Sequence, residues 1–148
     1  MESGYLLDSN VIIGYLAGRI PASGMKTISA MVDQTPHISV ISQIEVLRYN
    51  DTQENEAILA GFISNSIIHS LSPAVVQRTI TLCKQSRIKL PDAVIAATAL
   101  TESFILVTRN IDDFKNISGL GLLNPWDSLH NRPVQAAGGA EDDSVSNE

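Results

Sequence analysis

A chain of 148 residues holds enough material for one domain that buries about two-thirds of the surface its unfolded form exposes. Its 44% hydrophobic and 18% charged residues exclude wholesale disorder, and no apolar run approaches the ~20 residues that cross a bilayer. The formal charge of −6 argues against generic nucleic-acid binding, but Glu141, Asp142, Asp143 and Glu148 fall in a base-free segment over 138–148, leaving a body near −2.

Short apolar runs alternate with longer helical patterns along that body. Tyr5-Leu6-Leu7 is a brief strand ending at Asp8, and Ser9-Asn10 open a helical pattern through Leu16. A second helix is predicted over 23–32, with Met25, Ile28 and Val32 on one face. Ile38-Ser39-Val40 reads as a strand. Ser42 to Tyr49 reads as a helix opened by an S-x-x-E capping pattern, Ser42 and Glu45. Another helix over 54–64 precedes an Ile67-Ile68 strand. Ser72 as N-cap and Pro73 at the first helical position start a helix to Gln85.

Pro91-Asp92 open a further helix, Ala93 to Thr101, which is apolar nearly all round and therefore expected to be buried. It feeds Phe104 to Val107, a continuous β-type run of the kind found in central parallel strands. Leu120 to Leu123 is a last short strand, ended by Asn124-Pro125. The alternation predicts a three-layer α/β domain over 1–130, a central parallel sheet flanked by helices. Residues 131–148 read as a disordered acidic tail. Met1-Glu2-Ser3-Gly4 has no basic n-region, and the lone Cys83 cannot form an internal disulfide, so a cytoplasmic location is expected.

In parallel α/β sheets, functional groups collect at the carboxyl ends of the strands. Asp8 ends the first strand, Glu45 lies near the start of the helix after the second, Asp92 opens the apolar helix, and Asp112 and Asp113 follow the Val107-Thr108 strand end. Each has an ordinary explanation: Glu45 completes a capping box, and Asp92 complements a helix dipole. Together they point further. Asp8 abuts apolar sequence on both sides, where a carboxylate is costly unless paired or bound. Converging carboxylates raise one another's pKa, and a hard divalent cation relieves that repulsion while prompting attack of water on a phosphate ester. His37, His69 and His130 are scattered and not spaced as ligands, so they read as structural.

Leu7-Asp8-Ser9-Asn10, Ser42-Gln43-Ile44-Glu45, the run LPDAVIAATA over 90–99 and the run TRNIDDF over 108–114 resemble the PIN-domain ribonucleases. More closely they are similar to the VapC-type toxins of bacterial toxin–antitoxin pairs, from about Tyr5 to Pro125. The resemblance implies an Mg2+- or Mn2+-dependent endoribonuclease whose core site is Asp8, Glu45 and Asp92. The fourth family acid, in an N-x-x-D-F pattern, falls on Asp113, with Asp112 the weaker candidate. Thr108 at the strand end would support the site, and Asn110 would shape the loop. A small cognate antitoxin, laying a helix in a groove, and a homodimer are implied as well; the Ile12–Leu16, Ile28–Val32 and Ile44–Val46–Leu47 faces are candidates for that groove.

Arg48, Lys84, Arg87, Lys89 and Arg109 form a weaker signal, a basic rim for an RNA backbone, set against the ordinary reading of a solvated face. Aromatics at 5% leave little for a base-stacking ladder, and Tyr15, Met25, Met31 and Trp126 read as packing. Two other enzyme-like α/β classes fit poorly. A haloacid-dehalogenase-type phosphohydrolase needs an acid two residues after its first-strand Asp, where this chain has Asn10. A receiver domain wants a pair of acids there and a lysine after its last strand. The remaining alternative is a degenerate PIN module that binds RNA or protein without cutting, which would be expected to have lost acids that this chain retains.

Overall fold

Leu6 and Leu7 lie on opposite faces of one parallel sheet, and each face has its own core. The structure, a computed structural model, describes residues 4–127. Its five strands are β1 (Tyr5–Leu7), β2 (His37–Ser39), β3 (Ile67–His69), β4 (Ile105–Val107) and β5 (Leu122–Leu123), ordered β3-β2-β1-β4-β5 and all parallel. Leu6 pairs with Leu106 and Leu7 with Val107. On one face, Leu6, Leu106 and Leu122 pack against α5 (Pro73–Gln85) and α6 (Leu90–Glu102). On the other, Leu7, Ile38 and Val107 pack against α1 (Ser9–Leu16), α2 (Ala22–Asp33), α3 (Val40–Leu47) and α4 (Gln53–Ser64). Helices on both faces of a parallel sheet make the three-layer α/β architecture the alternation predicts.

Strand order sets where a site can form. The chain runs outward from β1 through β2 to β3, then returns to lay β4 on the other side of β1. The order therefore reverses between β1 and β4, and the crevice at the carboxyl ends of these two strands is the switch point of the sheet. β1 is the middle strand, with β4 interior beside it. α6 is buried from Ala93 to Ala99, as its apolar composition requires, and the Thr98 hydroxyl inside it donates to the Val94 carbonyl at 2.8 Å. Among the described residues, no helix is long and apolar enough to cross a membrane.

Two expectations are corrected. The cap of α3 is Ser39, whose Oγ accepts the Ser42 amide at 3.1 Å, so the helix begins at Val40 and the strand stops one residue early. Ser42 is buried inside the first turn instead of capping it, and Glu45 is released from any capping box. His37 and His69 are not scattered: strand pairing brings His37 Nδ1 to 2.9 Å from His69 Nε2, with the Phe104 ring against both. Burial, then the neighbouring His69, lowers the His37 pKa. His130 and the segment 131–148 lie outside the described residues.

Candidate active site

Backbone pairing continues one residue past the ends of β1 and β4, to β4 from Asp8 and to β5 from Thr108. Asp8 N donates to the Val107 carbonyl at 2.9 Å, and Thr108 N to the Leu123 carbonyl at 3.0 Å. Asp8 and Thr108 thus emerge side by side at the switch point, and side-chain alternation puts them on the Leu6 face, the α6 side. Thr108 Oγ1 donates to Asp8 Oδ2 at 2.8 Å, while Asp8 Oδ1 accepts the Ser9 amide at 2.8 Å. Asn10 Nδ2 adds a longer bond to Asp8 Oδ2, 3.4 Å.

Asp8 is only 5% exposed. Burial pushes its carboxyl up from 3.8 to about 6; the Thr108 and Ser9 hydrogen bonds oppose that rise, and the charges of Glu45 and Asp92 add to it. Glu45 comes from the second turn of α3, and the Ser9 hydroxyl donates to its Oε1 at 2.8 Å. Asp92, in the first turn of α6, is raised by burial, then by Asp113 and Glu45, with Lys89 opposing. Asp113 sits in the short 3-10 turn Ile111–Asp113 and is exposed. The four carboxylates are thus linked through two of them: Glu45 and Asp92 act on Asp8, and Asp113 and Glu45 act on Asp92. Asp112 does not join it: its side chain is 89% exposed and pairs with Lys115 Nζ at 3.6 Å.

The remaining candidates divide in the same way. Asn110 shapes the loop through its backbone, its amide donating to Thr108 Oγ1 at 3.1 Å. Lys89 is the base whose charge acts on Asp92. Lys84 in the last turn of α5, Arg87 in the following loop and Arg48 at the end of α3 are exposed. Arg109 is exposed too, with its guanidinium over the Trp126 ring, 4.7 Å from the centroid.

Ser9 and Asn10, which the sequence places in the strand-end motif without a role of their own, hold this arrangement together. Ser9 ties Glu45 to the end of β1, and Asn10 Oδ1 accepts the Arg109 amide at 3.1 Å. Their signal was available in the polar pair that directly follows a strand-ending Asp. Asn10 occupies the position where a haloacid-dehalogenase-type site needs an acid, and here it braces a loop.

A family model described as PIN domain matches residues 5–120. Among solved structures, the chain is similar to a toxin–antitoxin complex from Klebsiella pneumoniae, at 29% identity and a TM-score of 0.67, covering 84% of this chain and 99% of that one. It is similar also to VapBC2 from Rickettsia felis bound to a DNA fragment from their promoter, at 26% identity and a TM-score of 0.69, covering 83% and 98%. VapBC-1 from nontypeable Haemophilus influenzae, at 19% identity, has the same fold, with a TM-score of 0.70 over 83% of this chain and 98% of that one. No curated protein matches the chain. A family match spanning nearly the whole described body, on a fold with its acids at the β1–β4 switch point, makes this chain a member of the PIN-domain family.

Proposed function

We propose that this chain is a divalent-metal-dependent endoribonuclease that hydrolyses RNA phosphodiester bonds and acts as the toxin of a toxin–antitoxin pair. The observation that carries the reading is the buried Asp8 carboxylate at the β1–β4 switch point, pushed up to about 6 with Glu45 and Asp92 both repelling it. A carboxylate kept in so unfavourable a place, among others of its kind, suits a cation that neutralises them.

Asp8, Glu45, Asp92 and Asp113 are the acids we assign to the metal and the chemistry. Among the described residues, no group of three or more His, Cys, Asp or Glu side chains is arranged to hold an ion by itself. Mg2+ does not require such a cage: it takes one or two carboxylates, keeps several waters and accepts phosphate oxygens. Carboxylate and hydroxyl oxygens make up the donor set here, so the residues fit Mg2+ or Mn2+ rather than a soft metal. When bound, the ion supplies a Lewis acid for attack of water on the phosphodiester. Thr108 and the Ser9 amide hold Asp8 in place, and the Ser9 hydroxyl orients Glu45. Asn110 braces Thr108, and Asp112 pairs with Lys115 on the surface of the loop. Lys89, whose charge acts on Asp92, is the first base we assign to meet the RNA backbone, with Arg109, Arg48, Lys84 and Arg87 the further candidates for the rim.

A small antitoxin is the inhibitory partner in this reading, because the similar structure from Klebsiella pneumoniae is a toxin–antitoxin complex. Of the apolar residues considered for its groove, Ile12, Ile28 and Val46 are buried in the core. Ile44 and Leu47 on α3 are about half exposed, as is Ile58 on α4, and they offer an apolar patch for a partner helix. A homodimer and a cytoplasmic location belong to the same proposal.

The test is cleavage of total-RNA and transfer-RNA pools by purified protein in Mg2+ or Mn2+ against EDTA, beside Asp92→Asn prepared identically. Discrete, metal-dependent fragments absent from the variant are expected. Equal products from both proteins would assign the cleavage to a contaminant. No products from either protein, with metal binding measured separately, would favour the non-cutting module.

A further inference from the structure

Arg109 is fixed from several sides beside the Asp112–Asp113 turn. Its amide donates to Asn10 Oδ1 at 3.1 Å, and its carbonyl accepts from Asn124 Nδ2 at 3.4 Å. Asn124 Oδ1 in turn accepts the Trp126 amide at 2.9 Å, so one side chain clamps Arg109 and Trp126 together. The guanidinium lies over the indole, 4.7 Å from its centroid. Trp126 is itself seated on α1 at Gly14, where a Cβ would meet indole atoms Cζ2 and Cη2 at 2.7 and 2.8 Å. Only a residue without a side chain lets the ring sit there. Asn10, which holds the Arg109 backbone, also bonds Asp8.

Arg109 lines an open cavity of about 690 Å3 together with the charged residues Asp112, Asp113, Lys115 and Asp127. Lys115 pairs with Asp112 in this cavity. Among the described residues, Arg109 is stacked on Trp126 and makes no ion pair. Stacking uses the face of a guanidinium and leaves its in-plane N–H groups able to grip a phosphate bidentately. A stacked arginine also loses less rotamer freedom on binding than a free surface lysine. Asp113, across the same cavity, is one of the charges acting on Asp92.

We infer that Trp126 is a positioning residue that holds the Arg109 guanidinium in the cavity it shares with Asp113, to receive an RNA backbone phosphate beside the one being cut. The inference rests on the RNA-cleaving reading above. It gives Trp126 a role beyond packing and singles out Arg109 from the basic rim.

The experiment uses the full chain and the variants Arg109→Gln, Arg109→Lys, Trp126→Leu, Trp126→Phe and Arg109→Gln combined with each Trp126 change. Binding of a fluorescein-labelled transfer-RNA pool is followed by anisotropy in EDTA between 50 and 200 mM salt, and cleavage of the same pool is followed in Mn2+. Arg109→Gln should weaken binding roughly five- to tenfold and lower the salt slope by about one. Trp126→Leu should weaken binding severalfold and raise KM with kcat changed less than about twofold, as loss of uniform binding does. Trp126→Phe should recover most of the loss, and neither Trp126 change should add to Arg109→Gln.

A Trp126 effect of equal size in the Arg109→Gln background would overturn the inference, as would unchanged affinity in both Trp126 variants. If Trp126→Leu does not fold, Trp126→Met alone and combined with Arg109→Gln completes the same cycle, and strict additivity there counts against the inference. Wild-type protein that neither binds nor cuts RNA would sink the nuclease reading itself. Wild-type cleavage with unaltered binding in the variants sinks only the role of Trp126.

Discussion

Thr108 Oγ1 donates a 2.8 Å hydrogen bond to Asp8 Oδ2 from the neighbouring strand, one residue beyond the point where each strand ends. That bond lowers the Asp8 pKa against the larger effect of burial, so Thr108 sets how much of the carboxylate is ionised near neutral pH. Thr108→Val removes the donor and should move the acid limb of the kcat/KM profile to higher pH. Activity at pH 6 then falls more than activity at pH 8.5. Thr108→Ser, which keeps the hydroxyl, should restore the original limb. Proportional loss at every pH in the valine variant would mean that Thr108 acts only by packing.

Asp8 should weaken the metal-free fold as pH rises. Its folded pKa of about 6 exceeds the ordinary 3.8, so the native state binds more protons between those values and its stability falls as they are released. Below about pH 4 both states are protonated and the effect vanishes. Above pH 6 the full penalty applies, at most about 3 kcal/mol for a shift of this size. Asp8→Asn should therefore abolish cleavage yet melt several degrees higher than wild type at pH 7.5 in EDTA, with no gain at pH 4. A variant that melts lower at pH 7.5 would show that the hydrogen bonds of the carboxylate outweigh its burial.

The same site should show its metal without any substrate. For a Kd near 1 mM, 10 mM Mg2+ adds about 1.4 kcal/mol to stability, or a melting shift of roughly 3–6 °C in a domain of this size. Protons compete for the carboxylates, so the shift should be large at pH 8 and small at pH 5, where Asp8 is mostly neutral. Asp92→Asn should reduce it. Identical melting curves with Mg2+, Mn2+ and EDTA at pH 8 would remove the metal from the proposal.

Asp112 and Asp113 are adjacent in sequence but differ in surroundings. Asp113 acts on Asp92, while Asp112 turns to solvent and meets Lys115. Asp113→Asn should lower the Asp92 pKa and reduce cleavage at least tenfold, whereas Asp112→Asn should leave cleavage within about twofold and stability within about 0.5 kcal/mol. Comparable losses in both variants would return Asp112 to the site.

Much of this arrangement was legible locally. The apolar run over 93–99 announces its own burial, and Ser72-Pro73 mark a helix start that the structure keeps unchanged. The strand-ending Asp8 and the helix-opening Asp92 stand where parallel sheets put their chemistry. What escaped depends on partners distant in the chain. Ser9 reaches Glu45 across 36 positions, and His37 meets His69 across 32, contacts that exist only after strand order is fixed. Ser39 and Ser42 were both able to cap α3 by composition. The choice fell to Ser39 because β2 ends there, with the backbone still extended and its hydroxyl in reach of the Ser42 amide. Trp126 looked like packing because no pattern in the sequence ties it to Arg109.

Gly24 ties the last described segment to the rest of the fold. It is buried in the first turn of α2, and a Cβ there would run into the Pro125 carbonyl oxygen and the Ile20 side chain. Backbone cannot swing aside as a flexible side chain does, so Gly24→Ala must push α2 and the Asn124–Trp126 segment apart. The helix itself would gain from alanine by about 1 kcal/mol, but overpacking of this kind costs typically 1–3 kcal/mol. A net loss is expected, with lower thermal stability and weaker protection of the Trp126 amide from hydrogen exchange. Because Trp126 carries Arg109, RNA binding in EDTA should weaken as well, while the Mg2+-induced melting shift should persist. Gly61, where a Cβ would meet nothing within 4 Å, is the control: Gly61→Ala in α4 should stabilise the protein and leave binding unchanged. Equal behaviour of the two alanine variants would show that the close approach of Pro125 to α2 is not maintained in solution.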